Sequence, residues 1–473
     1  MPVDFRRLDR VLNPKTVAVV GDKKDSNFTW THNFLPVMQL GGKLYSVQVD
    51  ENQSAGIEKL GVKNYKSILD IPDQIDYVLV AVPRRVTPKV IEDCIKKGVA
   101  GVCMFTAGFA EADEEGRQIQ NSIAEMARSA GMPLIGPNCM GVHNPRIGLR
   151  HNSDECFGES GNVSFIGQSG THSSFFSLTA AAHGIKISKS ISYGNGPVLD
   201  VYDYLEYLGN DPETKVIGTY IEGVRDGRKF FKVLREVASR KPVIVWKGGR
   251  TEAGFRAANS HTASLATAPA LWDSMVKQAG AIRVENMDEM IDTVKALLWL
   301  KPPKGPRAAL VCMTGGESVV ITDTFQRAGL EVPLLSSKSF SELAEFCRPI
   351  GASFKNPLDV FANMVSKSLA IKTLNIVDAD ENIDFVVLEA FVAFLLKKWR
   401  PGEDGDKGFF EGVEEYSRTS QKPFFAVLTP TYTEKEAVDM RQYFHSHGIL
   451  AFSTAARGAK ACRNLLDYYQ SRG

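Results

Sequence analysis

Short β-branched runs alternate with longer stretches of helical periodicity along almost the whole chain. Runs at Thr16–Val20, Lys43–Val47, Tyr77–Val82, Val102–Phe105 and Pro133–Ile135 form a first series of expected strands. Val163–Ile166, Val216–Tyr220 and Val243–Trp246 form a second. Ala308–Cys312, Phe385–Leu388, Phe424–Val427 and Ile449–Phe452 form a third. Most of these runs are largely apolar rather than strictly alternating, as strands buried on both faces are. Helices between them imply right-handed crossovers and parallel sheets, so the expected fold class is α/β.

Two segments break the rhythm. Asn144–Asn162 is polar and Gly-rich with little periodicity, and reads as a connection. Lys301-Pro302-Pro303-Lys304-Gly305-Pro306 is a stiff linker with a fresh strand behind it. Three successive units follow, 1–145, 146–302 and 303–473, each near the common domain size. The second and third open alike, with a strand running into Gln168-Ser169-Gly170 or Thr314-Gly315-Gly316 and then a helix. That likeness reads as a repeat of one doubly wound fold, although such turns favour glycine anywhere.

A chain of 473 residues is too long for one core, which agrees with several units. Its 56 basic and 55 acidic side chains leave a net charge of +1, which gives no reason to expect nucleic acid or an anionic membrane as partner. An anionic small ligand would need local donors. The seven cysteines show no CxxC pair and suit neither zinc nor a disulfide framework, so no metal is expected. The opening MPVDFRRLDRVL lacks a signal peptide's apolar core, and no long apolar run is present. A cytoplasmic setting is the expectation.

Four constellations carry possible chemistry. In Ile166-Gly167-Gln168-Ser169-Gly170-Thr171 a strand ends in small hydroxyl and glycine residues at a helix start. Free N–H groups and the helix dipole there suit a phosphate, though the same residues make an ordinary capped turn. Ser192-Tyr193-Gly194-Asn195-Gly196 offers a second tight loop where backbone can meet an oxyanion, or a plain turn. Glu222 ends an apolar strand at the carboxyl edge, where it can orient a histidine or simply be solvated. The fourth and sharpest is Asn259-Ser260-His261-Thr262-Ala263-Ser264. His261 has only small neighbours, which suits a side chain presented on a loop better than one packed in a core. Imidazole attacks phosphorus at neutral pH, and the phosphoramidate formed passes its phosphoryl group on readily.

These pieces resemble, in order, the ADP-forming acyl-CoA synthetases, relatives of succinyl-CoA synthetase. The matching residues are Val19-Val20-Gly21, Ala81-Val82-Pro83, Thr106-Ala107-Gly108-Phe109 and Gly136-Pro137-Asn138-Cys139. Gln168-Ser169-Gly170, Ser192 with Gly194-Asn195, and Tyr220 with Glu222-Gly223 follow. Lys247 with Gly249-Arg250, Ser260-His261-Thr262, and Asn356-Pro357 with Asp359 complete the series. The resemblance implies an N-terminal Rossmann-like CoA-binding domain and two flavodoxin-like, doubly wound ligase domains. It implies that His261 is phosphorylated with Glu222 in support, and that Ser169, Gly170, Thr171, Ser192 and Gly194 hold phosphate. Gly21, Lys23, Val82, Pro83 and Thr106 would bind CoA. A small carboxylic acid or acyl-CoA would be the substrate. ATP or ADP and Mg would bind a separate ATP-grasp beta subunit, in a heterotetramer, since no segment here is large enough for that unit and no P-loop replaces it.

The chain departs from the family pattern in places. Gly21-Asp22-Lys23 stands for Gly-Ala-Ser, and Ser46-Val47-Gln48-Val49-Asp50 for Pro-Val-Asn-Pro-Lys, an acid for a phosphate-pairing lysine. Met313-Thr314-Gly315-Gly316 replaces Asn-Ala-Gly-Gly, and Ala263 replaces a glycine. A nicotinamide dehydrogenase is a rival reading, since Asp50 sits where such enzymes grip a ribose, but no GxGxxG follows the first strand. A non-catalytic CoA-binding or regulatory protein is a second rival; it would have no use for the Ser169, Glu222 and His261 set.

Overall fold

A computed structural model describes residues 3–256, 269–347, 353–360, 363–364, 366–397 and 407–472. The chain forms two compact units, Met1–Glu285 and Asn286–Gly473. The first holds two six-stranded sheets and the second holds one.

The first sheet comprises β1 (Thr16–Val20), β2 (Lys43–Val47), β3 (Lys63–Tyr65), β4 (Tyr77–Val80), β5 (Gly101–Met104) and β6 (Leu134–Ile135). All five neighbouring pairs are parallel and the order is β3-β2-β1-β4-β5-β6, the Rossmann arrangement. Strand β1 is buried at all five positions, as a central strand covered on both faces must be. The order reverses between β1 and β4, which opens a crevice at their carboxyl ends.

The second sheet comprises β7 (Gly141–His143), β8 (Val163–Gly167), β9 (Ile187–Ser192), β10 (Val216–Ile221), β11 (Val243–Lys247) and β12 (Ile282–Val284). Its order is β12-β11-β10-β8-β9-β7, which is the flavodoxin-like arrangement with β7 added antiparallel at one edge. The third sheet, in the second unit, comprises β13 (Ala308–Cys312), β14 (Ser353–Phe354), β15 (Leu358–Asp359), β16 (Phe385–Phe391), β17 (Phe424–Thr429) and β18 (Leu450–Phe452). Its order, β14-β15-β13-β16-β17-β18, repeats that plan with β14 antiparallel at the edge. Alternate residues of one strand enter opposite cores: Val386 and Leu388 join one cluster, Phe385 and Val387 the other.

The expected strands are all present, with ends shifted by a few residues. The helix Met287–Trp299, which precedes the Pro-rich stretch, belongs to the second unit. Lys295 Nζ on that helix donates to the Ala451 carbonyl at 3.1 Å, and Asn464 donates to Thr293 Oγ1 at 3.0 Å. The connection 144–162 is mostly irregular, with one short 3-10 turn at Pro145–Ile147, and is tied down from inside. Within it Glu155 is buried with His143 and His151, and these two rings hold its carboxyl at about 2 against the effect of burial.

Candidate active site

The second sheet reverses its strand order between β8 and β10, so the loops leaving these strands flank one crevice. Ser169 follows β8 and caps the helix Gly170–Ala182, its hydroxyl accepting from His172 N at 3.4 Å. Gly170 admits Met140 at close range, where a Cβ would overlap the methionine side chain. Thr171, in the first turn, is exposed. The sequence therefore supplies a helix start with small residues, and with its dipole directed at the crevice.

Glu222 leaves the neighbouring strand β10 and is largely buried. The side chain of Gln168 holds it there, its Oε1 accepting from Glu222 N at 2.8 Å and from Gly223 N at 3.1 Å. Tyr220 Oη donates to Glu222 Oε1 at 3.2 Å, and Lys247 Nζ donates to the Glu222 carbonyl at 2.7 Å. Burial lowers the Lys247 ammonium from its usual range, with Glu222 opposing the shift. The carboxylate and the helix start are thus fixed relative to each other by one glutamine bridging two strand ends.

His172 completes this wall, and sequence reasoning did not single it out. Its ring stacks on Tyr220 at 4.2 Å between centroids, lies 4.6 Å from Trp246, and places Nδ1 3.2 Å from Ser169 Oγ. Burial lowers the imidazole from its ordinary value, and Glu222 raises it in part. The available signal was its place in the first helical turn after Gly170.

Ser192 and Gly194 lie one strand over. Ser192 is fully buried, and its hydroxyl accepts from Met140 N at 3.0 Å. Gly194 has φ of +56°, and a Cβ there would overlap the carbonyl oxygens of Pro137 and Asn138. Asn195 N donates to the Pro137 carbonyl at 3.0 Å, and its side-chain amide donates to Gln120 Oε1 at 2.9 Å. The loop after β9 therefore rests on the Gly136–Cys139 turn of the first sheet. His261 and the rest of its motif lie outside the described residues.

At the first sheet's crevice, Gly21 turns the chain with φ of +89°, and a Cβ there would overlap Val82. Thr106 Oγ1 donates to the Val82 carbonyl at 2.7 Å, while the Thr106 carbonyl accepts from Asn138 N at 3.0 Å. Gly21, Val82 and Thr106 thus form one rim, and through Asn138 that rim reaches the loop of Gly194. Pro83 and Lys23 are exposed beside it. The departures from the family pattern have structural work: the buried Asp22 accepts from Thr31 N at 2.7 Å and Thr31 Oγ1 at 2.8 Å, and Asp50 caps the helix Glu51–Glu58. Among the described residues no cluster of His, Cys, Asp and Glu is arranged to hold a metal ion, and no helix is long and apolar enough to cross a membrane.

A Rossmann sheet joined to a flavodoxin-like sheet, with a glycine-led helix start facing a strand-end glutamate, defines a doubly wound α/β protein with anion-suited crevices at its strand ends. Residues 15–145 match the CoA binding domain family and residues 160–297 the succinyl-CoA ligase like flavodoxin domain. The chain is 35% identical over 468 residues to the alpha subunit of ADP-forming acetate–CoA ligase II of Pyrococcus furiosus, covering 98% of this chain and 99% of that one. It is 34% identical over 380 residues to ADP-forming acetate–CoA ligase I of Archaeoglobus fulgidus, spanning 54% of that longer protein. The acetyl-coenzyme A synthetase 1 of Candidatus Korarchaeum cryptofilum, solved with phosphate and ADP, superposes with a TM-score of 0.82 at 29% identity, covering 98% of this chain and 97% of that one. This chain belongs to the ADP-forming acyl-CoA synthetases of the succinyl-CoA synthetase superfamily.

Proposed function

We propose that this chain is the alpha subunit of an ADP-forming acyl-CoA synthetase, working through a phosphohistidine at His261. The observation that carries the reading is the bridge at the second sheet's crevice, where Gln168 fixes Glu222 beside the helix start of Ser169, Gly170 and Thr171. Phosphate attacks the thioester carbonyl, the C–S bond breaks, and the coenzyme leaves as thiolate that takes up a proton. The acyl phosphate then gives its phosphoryl group to His261, releasing the carboxylate. ADP takes the group from His261, and the reverse course activates an acid at the expense of ATP. The N–H groups at the helix start hold phosphate charge through these transfers, and Glu222 favours the cationic ring that forms. Ser192 and Gly194 shape the adjoining loop, and Gly21, Lys23, Val82, Pro83 and Thr106 line the coenzyme crevice.

The nucleotide and Mg belong to an ATP-grasp beta subunit, paired with this chain in a heterotetramer. The Pyrococcus relative is itself named as an alpha subunit. The functional division is 1–145 for coenzyme, 146–302 for phosphoryl transfer and 303–473 for the second ligase fold. Seven free cysteines, six of them buried, suit the reducing cytoplasm. The test is a screen of small carboxylic acids for CoA-dependent ADP release with the partner subunit supplied. One or more acids giving release only with both subunits supports the proposal, and no release with any acid refutes it.

A further inference from the structure

The coenzyme crevice of the first sheet has Lys23 and Lys24 exposed at its first turn and an acid after its second strand, and that acid does not fit all of coenzyme A. In a Rossmann sheet the turn after the first strand meets the diphosphate, and the end of the second strand meets the adenosine ribose. An acid at that second position grips a free ribose hydroxyl and opposes a ribose phosphate. Coenzyme A carries a phosphate on that ribose.

Strand β2 ends at Val47, and Gln48-Val49-Asp50 lead from it into the helix Glu51–Glu58. Asp50 caps the helix Glu51–Glu58, its Oδ1 accepting from Asn52 N at 2.9 Å, so a carboxylate already occupies the positive end of that helix. Glu51 adds a second carboxylate, answered by Lys66 at 3.3 Å. The two turns are stitched into one wall. Gln48 Nε2 donates to the Asp22 carbonyl at 3.0 Å, Gln53 Oε1 accepts from Lys24 N at 2.7 Å, and Gly21 N donates to the Val47 carbonyl at 3.1 Å. Asp50 therefore stands fixed at the ribose end of the crevice, exposed, with its Oδ2 clear of the cap.

We infer that this crevice selects against a phosphate on the adenosine ribose, with Asp50 as the specificity-determining residue, and that it takes the 3′-dephosphorylated coenzyme at least as well as coenzyme A. The inference rests on the assignment of residues 15–145 to the coenzyme. A single charge against a doubly charged phosphate about 6 Å away in water corresponds to about tenfold in affinity. Salt weakens it, since the site is exposed.

Calorimetry on the intact chain at low ionic strength, with coenzyme A and with dephospho-coenzyme A, reads the ratio directly. The wild type should bind the dephospho form as tightly or more tightly. Asp50→Asn keeps the helix cap and should move the ratio toward coenzyme A by up to about tenfold. Asp50→Lys should move it further. A wild type favouring coenzyme A by more than about threefold, or a ratio that Asp50→Lys leaves in place, overturns the inference. If the wild type binds neither compound, the assignment of the crevice to the coenzyme falls, and this inference falls with it.

Discussion

Glu389 sits near the end of β16 with no exposed surface, and its environment makes the second unit's stability depend on pH. Its Oε2 accepts from Met313 N at 3.2 Å, while its Oε1 has no hydrogen-bond partner among the described residues. Burial is the main cause that pushes this carboxyl from 4.5 up to about 7, with a small contribution from Glu317. The native chain therefore binds this proton more tightly than the unfolded chain does. Stability from this group is fully present below the unfolded value and is lost as pH rises through the native one. A shift of this size is worth about 3 kcal/mol. Glu389→Gln keeps an acceptor for Met313 N and removes the ionisation. Compared with wild type, the variant should gain about 3 kcal/mol between acid and pH 8, but under about 1 kcal/mol of that by pH 5. For a unit of this size, 1 kcal/mol moves Tm by about 2–4 °C. Calorimetric melting of both proteins at pH 5 and pH 8, following the transition that the substitution moves, measures the difference. An advantage of Glu389→Gln that is equal at the two pH values, or absent at pH 8, would refute the reasoning.

Two further outcomes follow from the first unit. Gly194→Ala places a Cβ against the Pro137 and Asn138 carbonyls at a positive φ, and should cost about 2–4 kcal/mol by thermal unfolding. Full stability in that variant would show that the loop does not rest on the Gly136–Cys139 turn. Glu222→Gln can keep the hydrogen bond from Tyr220 but loses the charge, and should slow phosphoryl transfer by about 10²-fold with the KM for acyl-CoA unchanged. An unchanged transfer rate measured in rapid quench would remove Glu222 from the chemistry.

The strands buried on both faces were legible where their residues are continuously apolar, as at Tyr77–Val80 and Ala308–Cys312. Strand β9 was not, because it reads Ile187-Ser188-Lys189-Ser190-Ile191-Ser192 and is still buried throughout. Lys189 is only 1% exposed and is neutralised by Asp211 at 2.9 Å and Glu213 at 3.4 Å, partners that no local pattern announces. Strands β7 and β14 run antiparallel at sheet edges and are two or three residues long, too short for periodicity to register. At the site, Ser169, Gly170 and Glu222 stood out by their place at strand ends. Gln168 was visible as a motif residue, but its bridge depends on the register of β8 against β10. His172 matters through stacking on Tyr220 and a tilted contact with Trp246, residues of two different strands, a relation that exists only once the sheet has formed. Asp50 was visible as a departure from the family, and the fold adds that it is a helix cap.

The phosphoryl mark itself is the most direct test of the proposed chemistry. Wild type and His261→Ala are incubated with labelled ATP, Mg and the ATP-grasp partner, and the label on this chain is characterised by its stability and mapped by mass spectrometry. The wild type should carry an acid-labile, base-stable label at His261. His261→Ala should carry none and should form no ADP in response to acid and CoA. A His261→Ala protein that forms ADP at the wild-type rate, or a label that maps to another residue, would contradict transfer through this histidine.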